Sequence, residues 1–472
     1  MPGVPALLLL AILAADAPQE GGDLPLALRE ITKVYAVVER MAADPVDPEK
    51  AIYGGAIPGM LRRLDPHSVF FDPQQFEQLK ELERSTRKGF GTIVSVLPGR
   101  VIVLQALPGT PSARAGIAPG DEIVAINDIS LDRLDTDQLV ALLGETRQRP
   151  AKLEVRRPGS PGLLTLTLTP EELQSPSVER AFLLRPGVGY IRLASFDAET
   201  GKQLRDAIER LGGATLKALV LDLRNNPGGI LSSALETASL FLPPGARLLT
   251  ARGRAVGPKE EKVPDNATPY TFPLAVLING RSASAAEIVA GALQDHGRAV
   301  IVGEPSFGKG LVETVYPLSD NTGLALTTAY YYTPKGRSIQ RPLPGTALAA
   351  TAGERTGGIQ PDEIVYPEPL TAFRAIVEAG GAFTSFATDY LRRHKVGEDF
   401  QVTPELLDEF QGYLAQRNIQ PSVAEWSRER EWIATRLKTE ILNQALGVEK
   451  GDQVELARDP VVRAALRSLG VD

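Results

Sequence analysis

Residues 273–303 read PLAVLINGRSASAAEIVAGALQDHGRAVIVG. Leu274–Ile278 and Val300–Val302 are short, continuous aliphatic runs, and an alanine-rich segment of helical length lies between them. Such runs suit strands buried on both faces of a sheet, and the segment between them suits a crossover helix. Strand, helix and strand make a βαβ unit, which builds a parallel sheet with helices on its faces. The same alternation runs upstream: VGYIRLASF (188–196), ETGKQLRDAIERL (199–211), LKALVLDLR (216–224) and ILSSALETASLFL (230–242). An α/β core over residues 171–370 is therefore expected, with any ligand lying beyond the carboxyl ends of the strands. Ser284 opens the helix of the quoted stretch. With Glu287 it spells a capping box, in which serine and glutamate satisfy free amides at a helix start. It also follows a strand and sits among Ala283, Ala285 and Ala286, which leave room for a peptide backbone. That is the strand–turn–helix logic of a nucleophile elbow, without the G-x-S-x-G spelling.

Two further loops follow strands of the core. Asn225–Gly229, NNPGG, sets two glycines at a strand-to-helix turn. Its amides suit a developing oxyanion, and its glycines equally suit a tight turn at positive φ. GEPSFGKGLVE (303–313) spells the start of a phosphate-binding P-loop. Gly310 stands where that loop needs Ser or Thr, and LVETVYPL alternates like a strand where the P-loop needs a helix. Read instead as a lysine on a glycine-flanked turn, Lys309 is a candidate base for a serine nucleophile. The chain has three histidines, His67, His296 and His394. His296 is the rival base, but it lies roughly 18 Å from Ser284 along one helix at 1.5 Å per residue.

Outside the core the pattern changes. Residues 18–87 read as helical, with Leu28, Ile31, Val34 and Val38 at helical spacing and Asp72-Pro73 starting a second helix. Residues 88–170 form a module of short strands around one helix, LDTDQLVALLG. Its KGFGT stretch puts Gly89, Phe90, Gly91 and Thr92 before an apolar strand. A glycine loop beside a strand edge can capture a peptide C-terminal carboxylate and pair with its backbone. Residues 371–472 are helical again: Thr403-Pro404 begins one helix, and Ile433, Leu437 and Ile441 line another. PGTALAATAGERTGG (344–358) reads as a surface loop.

Composition limits the function. The 472 residues carry a net charge of −7, which argues against nucleic acid as a partner. Cysteine is absent, so disulfides, thiolate catalysis and cysteine metal sites are excluded. Residues 1–17 have an apolar run and an A-x-A end, the shape of a cleaved export signal, although Lys and Arg are missing from its start. The run is too short for a stable membrane span, and no later stretch suits one. An uncleaved anchor is the alternative to export with cleavage after Ala17.

Taken together, these stretches resemble the C-terminal processing peptidases, or tail-specific proteases. The resemblance covers about residues 53–370 and rests on LDPHS, AGIAPGDEIVAIN, LVLDLRNNPGG, SASAAEIVAGALQD, IVGEPSFGKG, YYTPKGRSI and GGIQPDEIV, in that order. It implies an α/β serine protease core with an inserted PDZ domain at 88–170, flanked by helical segments. It implies an exported, periplasmic endopeptidase that cuts proteins near their free C-termini, with no cofactor or metal and with assembly into a homo-oligomer. By motif, the nucleophile is Ser284 and the base is Lys309, while Ser282 is a structural neighbour. The oxyanion donors are the amides of Ala285 and of Gly228 or Gly229. Asp295 stands where some members carry a supporting acid, and Gly89, Phe90, Gly91 and Thr92 form the peptide-binding loop.

Two departures stand out. Glu313 occupies the place of a glutamine that orients the lysine, and an ionised carboxylate there favours the charged ammonium. Thr92 replaces the bulky apolar residue usual in the carboxylate loop, a role left to Ile93. The competing reading is a catalytically silent protein that binds C-terminal peptides through its PDZ module.

Overall fold

The computed structural model describes residues 24–83, 86–157, 160–174, 176–255, 257–342 and 357–471. The expected signal, and nearly all of the expected surface loop at 344–358, lie outside the described residues. The chain divides into two units, Met1–Arg62 and Arg63–Asp472. The first is helical where described, with Leu24–Met41 as its main element and Leu28, Ile31, Val34 and Val38 on it, as the spacing predicts. Among the described residues no helix is long and apolar enough to cross a membrane.

In the second unit, six strands form the core sheet in the order 178–185, 188–193, 218–222, 274–278, 300–303 and 363–364. The first pair is antiparallel and the remaining four pairings are parallel. Ala218–Asp222 and Leu274–Ile278 are buried along their whole length, as central strands of a covered sheet must be. One face packs against the helices Thr200–Leu211, Leu231–Ser239 and Ala285–Asp295. The other is covered by the last helix of the chain, Pro460–Ser468. Its Val461, Val462, Ala464, Ala465 and Leu466 meet Tyr190, Val220, Ala275, Leu277 and Val302. The C-terminal region thus reaches back to complete the core.

A five-stranded sheet stands beside this core, built from 69–71, 247–252, 259–262, 311–317 and 323–332. It carries the strand that leaves the lysine loop. Ahead of the core, residues 92–168 form an antiparallel β module with the helix Thr136–Thr146, capped by Asp135 and Gln138. Its strand Thr92–Leu97 lies at a sheet edge and, among the described residues, is paired on one side only, by Arg100–Ala106. The module also touches the C-terminal helices. Arg100 donates to Ser385 Oγ at 3.1 Å, and Leu97 lies against Gly381.

Candidate active site

The turn between Leu274–Ile278 and its helix is held by bonds that leave it little freedom. Ser282 is fully buried; its Oγ donates to the Leu223 carbonyl at 2.7 Å and accepts the Asn279 N–H at 2.9 Å. Asn279 Oδ1 accepts the Asn225 N–H at 2.9 Å, and the Ala283 N–H donates to the Asn226 carbonyl at 2.9 Å. These bonds fasten the serine turn to the NNPGG turn. Ser284 then takes φ 54° and ψ −113°, a conformation rare for a residue with a side chain. Such strain, of the order of 1–3 kcal/mol, persists only where the surroundings over-determine it.

Of the expected capping box at the start of Ala285–Asp295 the Glu287 half is present, its carboxylate accepting the Ser284 N–H, while the Ser284 side chain makes no capping bond. Glu287 does more than cap. It is fully buried, and four donors converge on its carboxylate. Oε1 accepts from Ser306 Oγ at 2.5 Å and from the Gly308 N–H at 2.7 Å. Oε2 accepts the Ser284 N–H at 2.8 Å and the Lys309 N–H at 2.9 Å. The backbone nitrogens of Ser284 and Lys309 are therefore within about 6 Å of each other, two hydrogen-bond lengths. Burial pushes the Glu287 carboxyl above its ordinary range, and the bonds from Ser306, Lys309, Gly308 and Ser284 pull the other way.

The lysine loop, 304–310, runs from the core strand Val300–Gly303 into the strand Leu311–Pro317. No helix follows it, and the Gly308 and Lys309 amides that a phosphate would need are already taken by Glu287. The P-loop reading has no site here. Lys309 Nζ donates to Glu313 Oε2 at 3.0 Å, with both side chains about one-quarter exposed. His67 lies within electrostatic reach of this pair. Burial, and then the charge of Lys309, hold His67 below the ordinary imidazole range. Its loop is anchored there because Ser68 Oγ accepts the Thr327 N–H at 3.2 Å, and Thr327 is the cross-strand partner of Glu313.

Both glycines of NNPGG have positive φ, 99° at Gly228 and 143° at Gly229. A Cβ on Gly228 would lie 2.8 Å from Ser284 Cβ and 3.0 Å from the Ala285 nitrogen, so this turn touches the serine. The Gly228 N–H already donates to Asn226 Oδ1 at 2.8 Å. Asn226, fully buried, also donates through Nδ2 to the Leu193 carbonyl. Of the two glycines, Gly229 is the one whose amide is not spent in this way.

The other candidates sit apart from the serine. Asp295 lies at the far end of the helix and binds the Lys335 N–H at 2.8 Å and the Arg337 guanidinium. There it pins the TPKGRSI turn. His296 meets the Arg247 carbonyl through Nε2 at 2.7 Å, and His394 stacks on Tyr390. In the β module, Gly89 is buried, Phe90 and Gly91 are half-buried just ahead of the edge strand, and Thr92, also half-buried, begins it. The Phe90 carbonyl accepts the Ser112 N–H at 2.9 Å, and Thr92 Oγ1 pairs with Ser112 Oγ. A Cβ on Gly91 would meet Thr110 at 2.3 Å, so glycine is needed there to pack the loop.

The segments of Ser284, Lys309 and the glycine turn, each singled out in the sequence, lie together in the structure, and Glu313 pairs with Lys309. The sequence did not point to the bridging bonds of Glu287, the Asn226 brace, Ser306 or the nearness of His67. The LDPHS motif was the only signal pointing at His67. Nothing local marks Ser306, whose partners Glu287 and Ile359 are 19 and 53 residues away.

Comparison with known proteins agrees with this architecture. Residues 187–365 match peptidase family S41, and residues 102–157 match a PDZ domain. A carboxyl-terminal-processing protease of Synechocystis sp. is 34% identical over 342 residues, covering 71% of this chain and 76% of the relative. A carboxy-terminal-processing protease of Bartonella bacilliformis is 36% identical over 322 residues, covering 66% of this chain and 73% of the relative.

Proposed function

Because the chain belongs to peptidase family S41, among the carboxyl-terminal-processing proteases, we propose that Ser284 and Lys309 carry its peptide-bond hydrolysis. The protein is a serine peptidase that acts on protein substrates. In the proposed mechanism Ser284 Oγ attacks the scissile carbonyl, and neutral Lys309 Nζ takes the hydroxyl proton and passes it to the leaving amine. The amides of Ala285 and Gly229 hold the oxyanion, and the dipole of the serine helix favours the same charge. Water then releases the acyl group, with Lys309 as base again. Asp295 supports the site from a distance by holding the Lys335–Arg337 turn.

The observation that carries this reading is the left-handed backbone of Ser284 at a strand-to-helix turn, packed against a glycine turn. The test is labelling with a fluorophosphonate probe alongside cleavage of a peptide. Wild type should label and cleave, and Ser284→Ala should do neither while remaining folded. Cleavage by Ser284→Ala, with loss of activity in Ser282→Ala, refutes the assignment.

The PDZ domain is proposed to capture the free C-terminus of the substrate, with Gly89–Thr92 around the carboxylate and the peptide added as a strand beside Thr92–Leu97. The proposed site of action is an exported compartment, the periplasm, reached through residues 1–17 as signal. A homo-oligomer built through the helical ends belongs to the same proposal. The Lys309–Glu313 ion pair favours a second reading, in which the protein is silent and only binds C-termini. A folded wild type that neither labels nor cleaves at any pH would decide for that reading.

A further inference from the structure

We propose that Glu287 is a positioning residue that locks the nucleophile turn and the base loop into one rigid body, through the two oxygens of its carboxyl group. The inference rests on the Ser284–Lys309 reading and goes beyond it, because Glu287 touches neither substrate nor the reacting atoms.

The geometry allots its two oxygens separately. Oε2 accepts the backbone N–H of Ser284 and of Lys309, so one atom spans the two segments that the reaction needs in register. Oε1 accepts from Ser306 Oγ and the Gly308 N–H, and so holds the loop that carries the lysine. Ser306 Oγ in turn accepts the Ile359 N–H at 2.6 Å, extending the brace to the segment before the last core strand. Three of the four partners are backbone N–H groups, which only donate, and the fourth, the Ser306 hydroxyl, can donate or accept. A cap needs only the bond to Ser284. The bonds to Ser306, Gly308 and Lys309 have no place in a helix cap, and they join chain segments 19 to 22 residues apart. Glutamine keeps the volume but has a single acceptor oxygen, so it must present its NH₂ either to Ser284 and Lys309 or to Ser306 and Gly308. In the first orientation the buried N–H groups of Ser284 and Lys309 lose their shared acceptor; in the second the Gly308 N–H loses its partner while the Ser306 hydroxyl can turn to accept, so the brace is broken at the serine or loosened at the lysine loop.

The experiment compares wild type with Glu287→Gln, Ser306→Ala, Leu293→Ala and Ser284→Ala as full chains. It measures kcat and KM on one peptide, the fluorophosphonate labelling rate and thermal melting, all where the proteins are folded. Leu293 is fully buried on the same helix outside the site, so its truncation reports plain destabilisation. Glu287→Gln is expected to lower kcat by about 100-fold, the scale of a misplaced reacting pair, with KM held within about threefold and labelling slowed in parallel. Ser306→Ala, which keeps the Oε2 bridge but loosens the loop, is expected to lose part of that kcat. Leu293→Ala should lower the melting temperature and leave kcat unchanged. A folded Glu287→Gln protein with wild-type kcat overturns the proposal, as does a kcat that falls only in proportion to the folded fraction. If Glu287→Gln does not fold, wild-type kcat in Ser306→Ala overturns it. Activity surviving in Ser284→Ala would instead strike the underlying Ser–Lys reading, whatever Glu287 does.

Discussion

Ser284→Gly should produce a protein that is inactive and yet more stable than Ser284→Ala. The wild-type backbone at Ser284, φ 54° and ψ −113°, is that of the first central residue of a type II′ turn. Glycine takes it without cost, and any side chain pays about 1–3 kcal/mol. Ser284→Ala keeps that strain, and no cap goes with the hydroxyl because Ser284 Oγ makes no capping bond. Ser284→Gly relieves the strain and gives up about 0.5–1 kcal/mol to the greater freedom of its unfolded chain. The glycine protein should therefore exceed the alanine protein by up to about 2.5 kcal/mol and at least match wild type. In a domain of the core's size each kcal/mol moves the melting temperature by about 2–4 °C. The assay is thermal melting of the three full chains in one buffer, with fluorophosphonate labelling to verify that both variants have lost the nucleophile. If Ser284→Ala melts at or above Ser284→Gly, the backbone is not strained at this position, and the elbow argument for the nucleophile goes with it.

Glu313→Gln removes the ion-pair partner 3.0 Å from Lys309 Nζ and keeps an oxygen that can accept from it. kcat/KM at neutral pH should rise; an unchanged or lower value refutes a restraining part for this ion pair. Glu122 pairs with Arg100 at 2.7 Å and Arg156 at 2.8 Å. Although burial opposes it, these partners hold its carboxyl below the usual range. A lowered folded-state value gives stability that is present above the unfolded value and is lost as pH falls through the folded one. Glu122→Gln should therefore cost up to about 1 kcal/mol near pH 7, and the cost should fade in melts below about pH 4. An equal cost at both pH values contradicts this. Ending the chain at Asp459 strips Val461, Val462 and Leu466 from the core sheet, each worth about 1.5–3 kcal/mol at full burial. The truncated protein should be insoluble or melt far below wild type, and a stable, active product would show the helix to be dispensable. Peptides with free C-termini should be cut faster than their amidated forms, and equal kcat/KM would remove the PDZ loop from substrate capture.

The strand–helix alternation from Val188 to Gly303 declares a parallel core because periodicity and length are local properties of the chain. The same holds for the Asp72-Pro73 and Thr403-Pro404 helix starts, both present in the structure. Ser284 at a helix start and Lys309 on a glycine loop were legible too, since strand ends and glycine turns are written locally. Three things depended on the fold. An apolar stripe does not name its partner, so the helix Pro460–Ser468 could be placed on the second face of the core only once that face was built. That the Gly228 N–H is already taken by the Asn226 side chain is a bond that no spacing reveals. Glu287 looked like half of a capping box because only its own helix is written next to it. Its other partners come from a loop around 20 residues on, and they reach it because the parallel sheet sets the ends of Leu274–Ile278 and Val300–Gly303 side by side. Burial there removes water as an alternative partner, so each donor must find its acceptor within the fold.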